Sequence, residues 1–290
     1  MSGPAVHRAT TLEETWDLLE RYGDDGRIVA GSTAITIMLR QGLIDPAALI
    51  AIDRLPGLSE IEVSADRLEI GALVTHRRVE MDPSVREAIP VLASTFGRVA
   101  NVRVRNVATV GGVLAEADYA SDPPAVLLAL DATVHAVGRD GPRDIAMADF
   151  VLGFYETALQ PGEIVTGVSV PRVPPGAGAT YEKYVTRSSE DRPCIGVAAI
   201  VRLDAAGSCA EVRVAIGAAT ETPTRYTDVE ADAVGRRPGE AAAVIAEAYA
   251  ERIDPLDDLR GSSWYRREMA RVWVGRAIQT AAQAAQTATP

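Results

Sequence analysis

The sequence predicts an α+β chain in three units: two N-terminal mixed subdomains, residues 1–56 and 57–176, then an antiparallel sheet carrying helices, residues 177–290. Three observations predict it. Near the start, the apolar run RIVAG (27–31) passes through small residues into a segment with helical spacing. A stretch dense in proline and glycine, PRVPPGAGA at 171–179, reads as a linker or long connection. Beyond it come strand-length runs rich in β-branched residues, followed by Ala-rich segments of helical periodicity.

Taken in order, Thr11 to Glu14 has capping-box spacing, and Leu12, Trp16 and Leu19 recur at helical intervals, so a helix is expected over 11–22, ending near Gly23. RIVAG then reads as a strand, AITIMLRQGL (34–43) as a helix and ALIAI (48–52) as a strand closing the first unit. IEVSADRLEIGALVT (61–75) reads as a hairpin turning at Ala65-Asp66. Helices are expected after Pro83 and Pro90, then a polar run NVRVRN, a Gly-rich loop around Gly111-Gly112 and a helix started by Pro123-Pro124. Strands near 132–137 and 163–170 end the middle unit. In the third unit YEKYVT, CIGVAAIVRL and EVRVAIGAA read as strands, with a turn at 206–208 and covering helices at 238–252 and 263–284.

Composition narrows the function classes. With 290 residues, 47% of them apolar, the chain can bury a sizeable core. Lys and Arg total 29 against 40 Asp and Glu, a formal charge of -11 that disfavours nucleic acid or an anionic membrane as a general partner. Cys194 and Cys209 form no CxxC pair, which argues against a cluster or zinc site within the chain. The opening MSGPAVHRATTLEE lacks a basic-then-apolar signal, and no apolar stretch approaches the roughly 20 residues that span a bilayer. A cytoplasmic protein without a transmembrane segment is therefore expected.

Two small-residue loops could carry chemistry: Ala30-Gly31-Ser32-Thr33 after a strand, and Thr109-Val110-Gly111-Gly112 before an apolar segment. Glycines admit a phosphate close to backbone N–H groups, hydroxyls add donors, and a helix N-terminus adds partial positive charge. Taken alone, each such loop is more often simply a tight turn, and neither fits the GxGxxG or GxxxxGK[ST] pattern. The histidines His7, His76 and His135 are scattered, with no neighbouring carboxylate or cysteine pattern. Arg103 and Arg105 could face phosphate or solvent, while Arg266, Arg267 and Arg271 beside Glu268 read as ordinary surface pairing on a helix.

Several ordered motifs agree with one another: RIVAGSTAITIMLRQG (27–42), GALVTH (71–76), RNVATVGGVLAEADYASDPPAVLLALDA (105–132), YEKYVTRSSEDRPCIGVAAI (181–200) and RGSSWYRREMARVWVGRAI (260–278). Together they resemble the FAD-binding medium subunit of the molybdenum hydroxylases, the xanthine dehydrogenase and aerobic carbon monoxide dehydrogenase family. The resemblance implies a two-subdomain FAD-binding fold of the PCMH type, with the third unit closing over the ring. It implies that Val29, Ala30, Gly31, Ser32, Thr33 and Ala34 form a first phosphate-clasping loop with Ile28 and Ile35 beside it. Thr109, Gly111 and Gly112 would form the second, flanked by Ala108 and Val113. Ser32 stands where the family commonly has a second glycine, and Val113 where it often has Asn or Asp.

Asp122 and Lys183 match family positions near the cofactor. A carboxylate can accept from sugar or ribityl hydroxyls, and a cation beside the ring would favour its reduced, anionic form. From the residues alone Asp122 could instead cap the following helix, and Lys183 could be a solvated strand residue; Tyr181 and Tyr184 could cover the ring or pack in a core. The resemblance further implies [2Fe–2S] clusters in a small partner subunit, molybdopterin in a large one, a dimer of three-chain units and an external electron acceptor. Two alternatives stay open: a self-contained FAD oxidase or reductase, and a non-catalytic nucleotide-binding subunit.

Overall fold

A computed structural model describes residues 3–288. Strand β1 (Ala5–Arg8), helix α1 (Leu12–Tyr22), strand β2 (Gly26–Val29), helix α2 (Thr33–Arg40) and strand β3 (Ala48–Ala51) make a small parallel sheet of order β1-β3-β2. The first helix starts where its sequence signal stands: Thr11 Oγ1 accepts from the Glu14 N–H at 3.1 Å. The return bond is displaced by one residue, because the Glu14 carboxylate takes the N–H of Thr10 at 2.8 Å instead of that of Thr11. Gly23, at φ 51°, ends the helix.

The middle unit runs β4 (Ile61–Val63), β5 (Arg67–Gly71), α3 (His76–Met81), α4 (Pro83–Ala88), α5 (Pro90–Gly97), α6 (Val102–Arg105), α7 (Val110–Glu116), α8 (Pro123–Ala129), β6 (Thr133–Gly138), β7 (Gly141–Ala146), α9 (Met147–Phe150), the ribbon β8 (Val151–Gly153) and β9 (Glu156–Thr157), and β10 (Ile164–Pro171). Its sheet is antiparallel in the order β4-β5-β10-β6-β7. Three expectations change here. The hairpin strand stops at Gly71 rather than near Thr75. The polar run NVRVRN forms the short helix α6, capped by Asn101 Oδ1. Gly111 and Gly112 lie inside the first turn of α7 rather than in a loop before a helix.

The third unit runs β11 (Ala177–Tyr184), β12 (Ile195–Leu203), β13 (Cys209–Gly217), β14 (Thr224–Arg225), α10 (Thr227–Ala231), α11 (Pro238–Arg252) and α12 (Ser263–Ala288). Its strands pair antiparallel in chain order, under α11 and α12. The Pro/Gly segment is shorter than it reads, since β10 and β11 absorb its ends and leave only 172–176 as connection. The middle and third sheets share one core, in which Leu68, Ile70 and Val168 pack in the same cluster as Tyr181, Ala198 and Ile200. A smaller cluster around Ile52, Leu55 and Ile164 binds the first unit to the middle one. Cys194 and Cys209 are buried and free.

Candidate functional site

A cavity of about 1110 Å³ lies where the three units meet. That is above the usual range for a drug-sized ligand, about 300–1,000 Å³, and leaves room for a ligand as large as a dinucleotide. Its lining includes every cofactor-site residue expected above: Ile28 to Ile35, Ala108, Thr109, Gly111 to Val113, Asp122 and Lys183. These positions are far apart in sequence, and the fold brings them together.

The first loop supplies the donors. Strand β2 ends at Val29, Ser32 takes a left-handed φ of 56°, and α2 begins at Thr33. The left-handed turn explains why a glycine suits position 32: a side chain there is strained. At the start of α2 no hydrogen bond among the described residues joins the N–H groups of residues 31 to 35 to another protein group. Helix N-terminal N–H groups lack intrahelical partners, and together with the helix dipole they attract an anion.

The second segment differs from the sequence reading. The N–H of Val110 donates to Val74 O at 2.9 Å and that of Gly111 to Ala72 O at 2.8 Å. The N–H of Gly112 goes to Thr109 Oγ1 at 3.1 Å, so the backbone donors of residues 110 to 112 are already spent within the protein. Neither glycine has a positive φ. Gly111 is small for packing, since a Cβ there would stand 2.6 Å from the Ala72 side chain. Val113 is buried and contributes apolar wall instead of a polar contact. Gly31 then sets the spacing of the two segments: a Cβ on it would lie 1.9 Å from the Val107 carbonyl oxygen.

His76, which the resemblance alone would bring towards the cofactor, holds this second segment. Its Nε2 lies 3.2 Å from Thr109 O, which makes that nitrogen the donor, and its ring meets Phe96 edge-on at 4.9 Å. Burial pushes its pKa down to about 4, so the ring is neutral, and its Nδ1 has no partner among the described residues. Arg105 is taken by Glu80 at 2.9 Å and by two backbone carbonyls, so it braces α6.

The opposite wall is polar. Asp122 precedes α8 but makes no side-chain cap; its carboxylate instead accepts from Tyr181 Oη at 2.7 Å and Lys183 Nζ at 2.9 Å. Lys183 is thus no solvated residue: its side chain is 5% exposed and also donates to Arg98 O. Arg98 in turn donates to Tyr181 O at 2.6 Å. Tyr181 is buried in the shared core, whereas Tyr184 stacks on Trp273 outside the cavity lining.

Further groups line the mouth. Asp118 is ion-paired with Arg192, and burial together with Asp118 raises the Glu116 carboxyl to about 7. Tyr119 donates to Asp258 at 2.7 Å. Arg266, read from sequence as a surface residue, is fully buried and joins Asp258 at 2.5 Å and the Cys194 carbonyl at 2.6 Å, fixing the turn that carries Leu259. Arg271 makes the surface pair with Glu268 that its spacing suggests. Glu116, Asp118 and Tyr119 lie in the same run as the Gly pair, but only the fold shows that the chain turns back to place them on the cavity. Among the described residues no cluster of His, Cys, Asp or Glu could hold a metal ion. His135 does meet carboxylates, Asp144 at 2.7 Å from the adjacent strand β7 and Glu69 at 3.4 Å from β5, across β10.

N–H groups without a partner among the described residues, a close two-segment cradle and a cavity of about 1110 Å³ lined by both apolar and charged side chains fit an FAD molecule. Comparison with known proteins agrees. Residues 2–173 match the family described as "FAD binding domain in molybdopterin dehydrogenase" and residues 179–281 the "CO dehydrogenase flavoprotein C-terminal domain". The chain is 32% identical to the 6-hydroxypseudooxynicotine dehydrogenase complex subunit alpha of Paenarthrobacter nicotinovorans, over 94% of this chain and 92% of that one. It is 32% identical to the glyceraldehyde dehydrogenase medium chain of Sulfolobus acidocaldarius, over 95% and 97%. The structure superposes on a chain of quinoline 2-oxidoreductase from Pseudomonas putida 86 with a TM-score of 0.91 at 32% identity, covering 98% and 99% of the two chains. The chain therefore belongs to the FAD-binding medium subunits of the molybdenum hydroxylase family, the flavoprotein subunits of multi-subunit oxidoreductases.

Proposed function

We propose that this chain holds FAD in the cavity and relays electrons from [2Fe–2S] clusters of a small partner subunit to an external acceptor, while a large molybdopterin subunit oxidises the substrate. The observation that carries it is the row of N–H groups at the start of α2 that have no partner among the described residues, on a cavity with the volume for a dinucleotide. Residues 31–35 would take the pyrophosphate, the apolar side chains of α2 would flank the adenine, and Asp122 and Lys183 would stand near the ring. Bound FAD supplies the step from single electrons to electron pairs. The protein's share is to position the ring, keep water from it and balance its charge. Shared cores join the three units into one frame around the cofactor. Fe–S and molybdenum chemistry would reside in the partners, in a cytoplasmic dimer of three-chain units; no helix among the described residues is long and apolar enough to cross a membrane.

The test is reconstitution. Purified alone, the chain is expected to carry FAD and to reduce dyes slowly, but to oxidise no heterocycle, aldehyde or carbon monoxide. Co-expressed with its cluster-bearing and molybdopterin-bearing partners, it is expected to co-purify as a complex whose flavin is bleached by substrate. Turnover of an organic substrate by the isolated chain with FAD as sole cofactor would replace this reading with that of a self-contained oxidase.

A further inference from the structure

Lys183 cannot act as an isolated cation in this cavity. Its ammonium lies 2.9 Å from Asp122 Oδ2, and the two side chains are 5% and 4% exposed. The field of each charge is largely cancelled by the other, and a third, unbalanced charge in so dry a place would be costly. The groups facing Asp122 are Tyr181 and Lys183 on β11 and Arg98 beyond α5. Burial pushes the Asp122 carboxyl above the ordinary carboxylate range, although Lys183, the Tyr181 hydroxyl and Arg98 all pull it back. The cavity is also divided chemically. Around α2 it is apolar, through Ile35, Ile37, Met38 and Ile44, whereas around Asp122 and Lys183 it can answer a change of charge.

Resting on the FAD reading above, we propose that Asp122 takes up a proton when the flavin is reduced, releasing Lys183 to pair with the negative charge that appears on the ring. Two electrons come from the iron–sulfur donor of the proposed function. One proton from solvent adds to the ring, leaving it with a single negative charge. A second bonds to Asp122 Oδ2 and breaks the ion pair with Nζ, while Lys183 keeps its own proton. Oδ1 still accepts from the Tyr181 hydroxyl, so Tyr181 is the positioning residue that holds the carboxyl in place through both states. Ring, lysine and carboxyl together sum to zero before and after, so reduction adds no unbalanced charge to the dry wall. A cavity with an unpaired lysine would behave differently: reduction would need one proton, not two.

The pH dependence of the bound flavin's reduction potential reads the proton count. A tenfold change in the equilibrium constant of a two-electron couple is about 30 mV, so each proton taken up per electron pair adds about 30 mV per pH unit. Between pH 7.5 and 9 the parent is expected to show about 60 mV per pH unit with the absorption of an anionic reduced ring, and Asp122→Asn about 30 mV. Tyr181→Phe keeps the carboxyl but removes a bond that favours its charged form, and is expected to carry the steep region to higher pH. Equal slopes in the parent and Asp122→Asn, a neutral reduced ring in the parent, or an unmoved limit in Tyr181→Phe would each overturn the proposal. Protein that folds but carries no FAD would instead overturn the cofactor reading beneath it.

Discussion

Gly31 and Glu116 show how single residues set the terms of the site. Gly31→Ala would press a Cβ to within 1.9 Å of a backbone oxygen that has no side chain's freedom to turn aside, so α2 and the Val107–Ala108 segment must part. The expected outcome is a folded protein that retains less than about a tenth of its FAD, read from the ratio of flavin to protein absorbance; full retention would mean that the spacing is immaterial. Glu116 is a different case, set by burial. A carboxyl whose pKa is raised from 4.5 unfolded to about 7 folded binds more protons when folded, so its contribution to stability falls as pH rises through that interval. The loss is at most about 3 kcal/mol at pH 8, because each tenfold change in proton affinity is worth about 1.4 kcal/mol. Glu116→Gln is expected to flatten the decline in melting temperature between pH 5 and 8; an unchanged profile would show that the carboxyl is solvated. Of such details the sequence singled out Gly31 as a small residue between a strand and a helix, a pattern that by itself also fits a tight turn. His76, Glu116 and Arg266 were not legible. Their roles come from burial and from partners 33, 2 and 8 residues away, such as Thr109, Asp118 and Asp258.

Among the elements, long periodic segments were read well and short ones poorly. The α1 cap, the β4–β5 turn and the two closing helices follow from local patterns that tertiary contacts reinforce. The short α6 and the ribbon β8–β9 carry too few residues for a period to show, and owe their form to neighbours. The TVGG segment is the most instructive, because a Gly pair suggests an open loop while Thr109 makes it the start of a helix. Its hydroxyl caps α7, and its carbonyl accepts from His76. Thr109→Ala removes the cap and is expected to cost about 1 kcal/mol, measured by chemical unfolding of the apoprotein. If stability were unchanged while FAD affinity fell, the hydroxyl would serve the ligand rather than the helix.

At the scale of the molecule, the manner in which the parts of the chain are fastened together was not legible in the sequence. The middle and third sheets share a core, Asp122 reaches across to Lys183 and Tyr181, and Asp118 to Arg192. A ligand that touches all three units should therefore stabilise them together. At FAD concentrations about 100-fold above its dissociation constant the gain is about 2.7 kcal/mol, and proteolysis of the 172–176 connection is expected to slow accordingly; equal cleavage rates with and without FAD would show that the units move independently. The shared cavity also bears on the chain's synthesis. Its walls include residues as early as Arg27 and as late as Arg260, so until Arg260 has left the ribosome the pocket lacks a side, and the cofactor cannot find its complete site on any shorter nascent chain.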